Sequence, residues 1–153
     1  MPTIAEARDL ILQTFKDAWD ADPTSQNLEV RYDDRYGDSD INTNDSWARV
    51  TVKHDPIGFS PKALAGSIGQ RRFPRNGTLT VQIFTPTDDG QETSDELTTI
   101  VLSAFEGFRN AGVWFRNIRF SEVNGDFGGG QKPLSDGWRQ VNVRVEFEYA
   151  TIN

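Results

Sequence analysis

The sequence predicts an α+β domain: a mostly antiparallel sheet with two helices packed on one face, and long loops. Three observations predict it. Two segments carry apolar residues at helical spacing. Other segments alternate apolar and polar residues, as strands with one buried face do. The order is helix, strands, helix, two strands, which favours helices gathered on one face of a sheet over alternating crossovers.

The first helix is expected over about Ala5–Ala21. Thr3 and Glu6 make a T-x-x-E capping box, worth about 1 kcal/mol. Ala7, Leu10, Ile11, Phe15, Ala18 and Trp19 form its apolar stripe, and Asp22 before Pro23 ends it. "LEVRY" (Leu28–Tyr32) reads as a short strand, and "DDRYGDSDINTNDS" as loop. "WARVTVKH" (Trp47–His54) alternates, with Ala48, Val50 and Val52 inward and Trp47, Arg49, Thr51 and Lys53 outward. "DPIGFSPKALAGSIGQRRFPRNG" is a long connection rich in proline and glycine, with room for a helical turn near Pro61–Ala65. "TLTVQIF" (Thr78–Phe84) is the next strand, with Leu79, Val81 and Ile83 inward.

The second helix is expected over about Ser94–Asn110, capped by Thr93 or Ser94. Leu97, Ile100, Val101, Ala104, Phe105 and Phe108 form its stripe, and the "NAG" ending at Gly112 is its stop. Val113–Glu122 is a strand, and "NGDFGGGQKPLSDG" a glycine-bearing loop. Trp138–Tyr149 closes the sheet, with Val141, Val143, Val145, Phe147 and Tyr149 on one face and Gln140, Asn142, Arg144, Glu146 and Glu148 on the other. The core is expected to hold Leu10, Phe15, Val81, Ile83, Ile100, Phe105, Val143 and Val145. The loops Asp33–Asp45 and Gly125–Asp136 are expected to order only on assembly, because they have almost no apolar anchor.

The 153 residues suit one domain, 1–153, long enough to bury a core without staples. There is no cysteine, hence no disulfide framework and no thiolate metal site. "MPTIAEARDL" is polar and is not expected to act as a secretory signal. No apolar run approaches the roughly 20 residues of a membrane-spanning helix, so no membrane partner is expected. With 16 Lys and Arg against 23 Asp and Glu, the net charge of −7 disfavours duplex DNA as a ligand.

Little in the chain points to catalysis. His54 is the one histidine, with no second histidine or cysteine to share a metal. Asp38, Asp40 and Asn42 imitate the start of a calcium loop, but Thr43 stands where glycine is needed and Arg49 where the bidentate glutamate would be. "GDFGGGQ" lacks the lysine and hydroxyl of a phosphate loop. Ser60, Ser94 and Ser135 have no nucleophile-elbow context. Asn76 begins a glycosylation sequon, with nothing to route it to secretion. No catalytic, metal or cofactor-binding residue is expected, and the protein is read as no enzyme. Binding remains. Trp47, Trp114 and Trp138 lie in or beside strands, and tryptophan and arginine concentrate at the energetic centres of interfaces. Packing under the helices or at the sheet edge is the competing role for each.

"RRFPRNGTLTVQIFTPTDDGQETSDELTTIVLSAFEGF" resembles the middle of the tail terminator family of long-tailed phages. That pattern is an arginine-containing loop, a G-x-L-x-V-x-I-F-x-P strand (Gly77–Pro86), an acidic turn and a helix ending near F-E-G. The closing "DGW-x-Q-x-x-V-x-V-x-F-x-Y" matches Asp136–Tyr149. With the N-terminal helix, the resemblance covers nearly the whole chain. Its patterns are ones of strand and turn, which neck and head–tail connection proteins share.

The resemblance implies a structural virion protein without cofactor. It would form a homo-oligomeric ring, six-fold in the family, on the finished tail tube. The ring would end tube polymerisation and join the tail to the head connector. Its partners would be itself, the tail tube protein and the head-completion protein, with DNA only passing through the channel. It would be assembled in the host cytoplasm and reside at the tail–neck junction. Arg71, Arg72 and Arg75 are then expected at an interface, pairing with acidic stretches such as Asp33–Asp34 or Asp88–Asp89 of a neighbour, or facing the channel, with a solvated basic loop without partner as the competing reading. Trp47, Trp114 and Trp138 join them as interface candidates. The alternatives are a neck or tube protein and, in a different class, a small α+β enzyme with a carboxylate site.

Overall fold

A computed structural model describes residues 2–32, 45–55, 63–64, 68–87, 90–107, 109–123 and 138–152. The fold is α+β, as expected. Helix α1 spans Ile4–Ala21 and helix α2 Gly90–Phe105. The strands are β1 (Glu29–Tyr32), β2 (Trp47–His54), β3 (Ala63–Leu64), β4 (Arg71–Pro86), β5 (Arg109–Asn110), β6 (Val113–Glu122) and β7 (Trp138–Ile152). They form one sheet in the order β1-β2-β4-β7-β6-β5, with β3 also paired to β4. The β1–β2 pair is parallel, and the others are antiparallel.

The capping box of α1 forms as read. Thr3 Oγ1 accepts from the Glu6 amide at 3.2 Å, and Glu6 Oε2 accepts from the Thr3 amide at 2.7 Å. Ala7, Ile11, Phe15 and Trp19, four residues apart, are the buried positions of α1. After the helix, the Ser25 hydroxyl donates to the Trp19 carbonyl at 2.6 Å and fixes the turn toward β1. Leu10 and Ile100, expected in the core, are only half-buried against it. Phe15, Val81, Ile83, Phe105, Val143 and Val145 are buried.

Several boundaries differ from the sequence reading. Helix α2 starts at Gly90, four residues before the expected Ser94. Gln91 and Glu92 are good helix formers, and Ser94 is a buried interior residue whose carbonyl accepts from the Thr98 hydroxyl at 2.7 Å. The helix ends at Phe105, where Gly107 takes φ +65°. The "NAG" stretch is no helix stop. Ala111 (φ 46°) and Gly112 (φ 89°) are the two-residue turn joining β5 to β6, a geometry that needs positive φ at both positions. Ala63–Leu64 is strand, not the helical turn expected near Pro61–Ala65. The expectations for Phe108, for the calcium-like residues, for Ser60 and Ser135, for Asp33–Asp34 and Asp88–Asp89, and for nearly all of the loops Asp33–Asp45 and Gly125–Asp136 lie outside the described residues.

The largest correction concerns the arginines. Arg71, Arg72 and Arg75 are not in a loop, because β4 begins at Arg71 and runs 16 residues. It pairs with β7 from Arg72↔Ile152 to Pro86↔Trp138, so β7 likewise continues three residues past its expected end at Tyr149. The β2 pairing of β4 stops at His54↔Gly77. Pro74 therefore lies where β4 has left β2, and its missing N–H breaks no central ladder.

Candidate functional site

Making the arginine stretch a strand divides its charges. Alternation places Arg71 and Arg75 on the helix side of the sheet, in phase with the buried Leu79, Val81 and Ile83, and Arg72 on the opposite side. Arg71 and Arg72 are exposed, whereas Arg75 is half-buried and its Nε donates to Thr151 Oγ1 at 3.4 Å.

The tryptophans divide as well. Trp47 stacks on Phe84, its cross-strand partner, with centroids 4.1 Å apart, and the Arg49 guanidinium carbon lies 5.9 Å from the Trp47 ring centre. Half-buried Trp138 pairs with Pro86 at the same end of the sheet. Trp114 is 50% exposed and lies opposite Glu148. Ten positions of β7 separate Glu148 from Trp138, about 33 Å in an extended strand. The six candidates thus do not make one patch. Arg71, Arg72, Arg75 and Trp114 belong to one end of the sheet, Trp47 and Trp138 to the other. Beside Trp114, Arg116 is ion-paired with Glu148, and Arg119 lies 3.9 Å from Glu146.

Sequence reasoning missed a polar cluster at the arginine end. His54, in phase with Ala48 and Val50, points to the helix side of β2. There it meets Phe147 and Tyr149 of β7 edge-on, at centroid distances of 5.3 and 5.7 Å. His54 Nε2 is 2.6 Å from Tyr149 Oη, and Arg8 Nη2 of α1 is 3.4 Å from His54 Nδ1. Arg75 lies opposite Tyr149 in the ladder. Burial lowers the His54 pKa, and the charges of Arg8 and Arg75 lower it further, against a smaller opposing effect of Asp55. Burial raises that of the Tyr149 hydroxyl, and the same two arginines oppose it. The one usable signal in the sequence was the phase of His54 on its strand, which aimed it at the core side rather than at solvent.

Arginine has no acceptor, so Arg8 must donate to His54 Nδ1. The imidazole then carries its proton on Nε2 and donates to Tyr149 Oη. The proton of the Tyr149 hydroxyl is left to point elsewhere, and among the described residues it has no other partner.

No site for a metal is formed, in that no three His, Asp or Glu among the described residues stand together to hold one. The acidic groove lined by Asp22, Glu92, Asp95 and Glu96 lies at the far end of α1, and three of these four side chains are exposed. No described helix is long and apolar enough to cross a membrane.

No protein-family model matches the chain, and no curated protein matches it. Solved structures that it resembles include one of a sheath/tube terminator of an extracellular contractile injection system, the PVC in its extended state. That chain is 12% identical, with a TM-score of 0.48 over 99% of this chain and 57% of the terminator chain. Another solved chain, without a functional description, is 18% identical, with a TM-score of 0.52 over 93% of this chain and 94% of that one, a likeness of fold.

Proposed function

We propose that the chain is a structural tail component, a terminator that caps a phage tail tube as a closed ring. The observation that carries this reading joins sequence to structure. The two stretches that resemble the tail terminator family, Gly77–Pro86 and the strand after Asp136, are separated by some fifty residues. They lie side by side as one unbroken ladder, Gly77↔Phe147 to Pro86↔Trp138. The pattern that carries the resemblance is therefore a single structural unit at the centre of the sheet.

The surface supports the same role. One end of the sheet carries exposed arginines and Trp114, the other the Trp47–Phe84 stack and Trp138. A ring that ends a tube must offer unlike surfaces above and below, one to the last tube layer and one to the head connector. A heterologous contact that closes on itself makes such a ring. The rival carboxylate enzyme needs acidic groups converging in a deep pocket, whereas the acidic groove here is open to solvent.

The test is tail assembly with and without the protein, followed by electron microscopy. Capped tails of uniform length only in its presence, with a ring mass near six protomers, are expected. Uniform tails without it overturn the reading, and open-ended tubes from the purified protein alone make it a tube subunit.

A further inference from the structure

We propose that the cluster of Arg8, His54, Arg75 and Tyr149 is a receptor for carboxylates of a second copy of this chain, supplied by that copy's groove of Asp22, Glu92, Asp95 and Glu96. The proposal deepens the ring reading and rests on it.

The cluster is built of donors. Arg8 donates to His54, but its Nε is buried and has no hydrogen-bond partner among the described residues. Being buried, that nitrogen is closed to a partner from outside, and the half-buried guanidinium can meet one only through its remaining N–H groups. Tyr149 is 2% exposed, so it holds His54 from within and does not itself meet a partner. Among the described residues Arg75 reaches only the Thr151 hydroxyl. Among the described residues neither Arg8 nor Arg75 is in an ion pair. The two half-buried guanidinium groups beside the imidazole keep positive charge and N–H donors that suit a carboxylate.

The same protomer holds the complementary surface. Arg8 sits in the second turn of α1, and Asp22 caps its C-terminal end, about 21 Å away at 1.5 Å per residue. Glu92, Asp95 and Glu96 extend from the first turns of α2 beside it. Among the described residues none of these four is in an ion pair. Opposite charges at opposite ends of one helix layer fit a head-to-tail contact, the kind that generates a ring. They also answer a physical problem. Copies that each carry a net charge of −7 repel one another, so their contact needs local complementarity.

The experiment is a charge swap read by sedimentation velocity. One variant carries Arg8→Glu and Arg75→Glu, and the other Glu92→Arg, Asp95→Arg and Glu96→Arg. Each alone should self-associate roughly tenfold or more weakly than the unmodified chain, and an equimolar mixture should recover the assembly. The ring signal of His54, the chain's one histidine, should shift on association of the unmodified chain. Self-association of either variant at full strength, a mixture that does not recover, or a His54 signal indifferent to assembly overturns the proposal. If the Arg8→Glu/Arg75→Glu chain does not fold, Arg8→Gln with Arg75→Gln replaces it, with the same tenfold weakening expected. Variants that still cap tails overturn this contact and leave the ring reading standing, whereas an unmodified chain that caps no tails overturns the reading itself.

Discussion

Gly77 lies directly opposite Phe147, and a methyl group on Gly77 would stand 2.4 Å from Phe147 Cζ and 2.2 Å from the Lys53 carbonyl oxygen. The Phe147 ring crosses the β4 backbone at the point where β4 parts from β2. Glycine is needed here for close approach, not for a turn. Gly77→Ala should therefore cost about 3 kcal/mol or more, because a backbone carbonyl cannot swing aside as a side chain does. Urea unfolding measures it. An alanine variant as stable as the parent would mean that the two strands stand further apart at this position.

Phe105 is fully buried and packs edge-on against Phe115 with centroids 4.9 Å apart. It joins the last turn of α2 to β6. Phe105→Ala should cost about 3–5 kcal/mol from lost burial and the cavity left behind. A cost below about 1 kcal/mol would mean that α2 does not bury this face.

His54 should make stability fall with acid. At neutral pH it is uncharged in both the folded and the unfolded chain. As the pH falls through its ordinary value of 6.5, the unfolded chain takes up a proton that the folded chain resists, because burial, Arg8 and Arg75 hold the folded pKa down. Stability is therefore lost from about 6.5 downward until folded His54 also protonates. The groups that face it are Arg8 from α1, Arg75 from β4, Tyr149 from β7 and Asp55 just after β2. His54→Gln keeps a donor for Tyr149 and does not titrate, so it should lose less stability than the parent between pH 7 and 5. Equal losses in urea unfolding at the two pH values would place the acid sensitivity in the carboxylates.

Both helices and the inward faces of β2, β4 and β7 were legible because each carries its own period. Ala48 and Val50, or Val141 to Tyr149, announce a buried face without help from the rest of the chain. The first third of β4 was not legible. Arg71, Arg72, Pro74, Arg75 and Asn76 have weak strand preference, and they are extended because the C-terminal residues of β7 lie alongside them. The polar Gln140 was read as outward, yet it is buried opposite Phe84 in the ladder. The cluster around His54 was hidden for a similar reason. Arg8 is 46 residues away and Tyr149 95, a separation that no local pattern spans.

The arginines give the last prediction, sharpened by their strand. Arg71 and Arg72 are exposed, and among the described residues Arg75 keeps a single hydrogen bond, to Thr151, so reversing all three to glutamate should leave the protomer folded. It should block ring formation on tail tubes, because a partly desolvated arginine–carboxylate pair matters by a few kcal/mol, against about 1 kcal/mol or less for an exposed one. Alternation then separates two contacts. Arg75→Glu acts on the helix side, where the donor cluster lies. Arg72→Glu acts on the opposite side, which also carries Trp114 beside the Arg116–Glu148 pair. If neighbouring protomers meet on the helix side and the tube or connector on the other, Arg75→Glu should abolish rings in solution. Arg72→Glu should leave rings that no longer seat on tails. Electron microscopy of tails and sedimentation of the free protein separate the two, with circular dichroism as the check on folding. Capped, head-competent tails from the triple variant would leave the three arginines as solvated charges at the end of a strand.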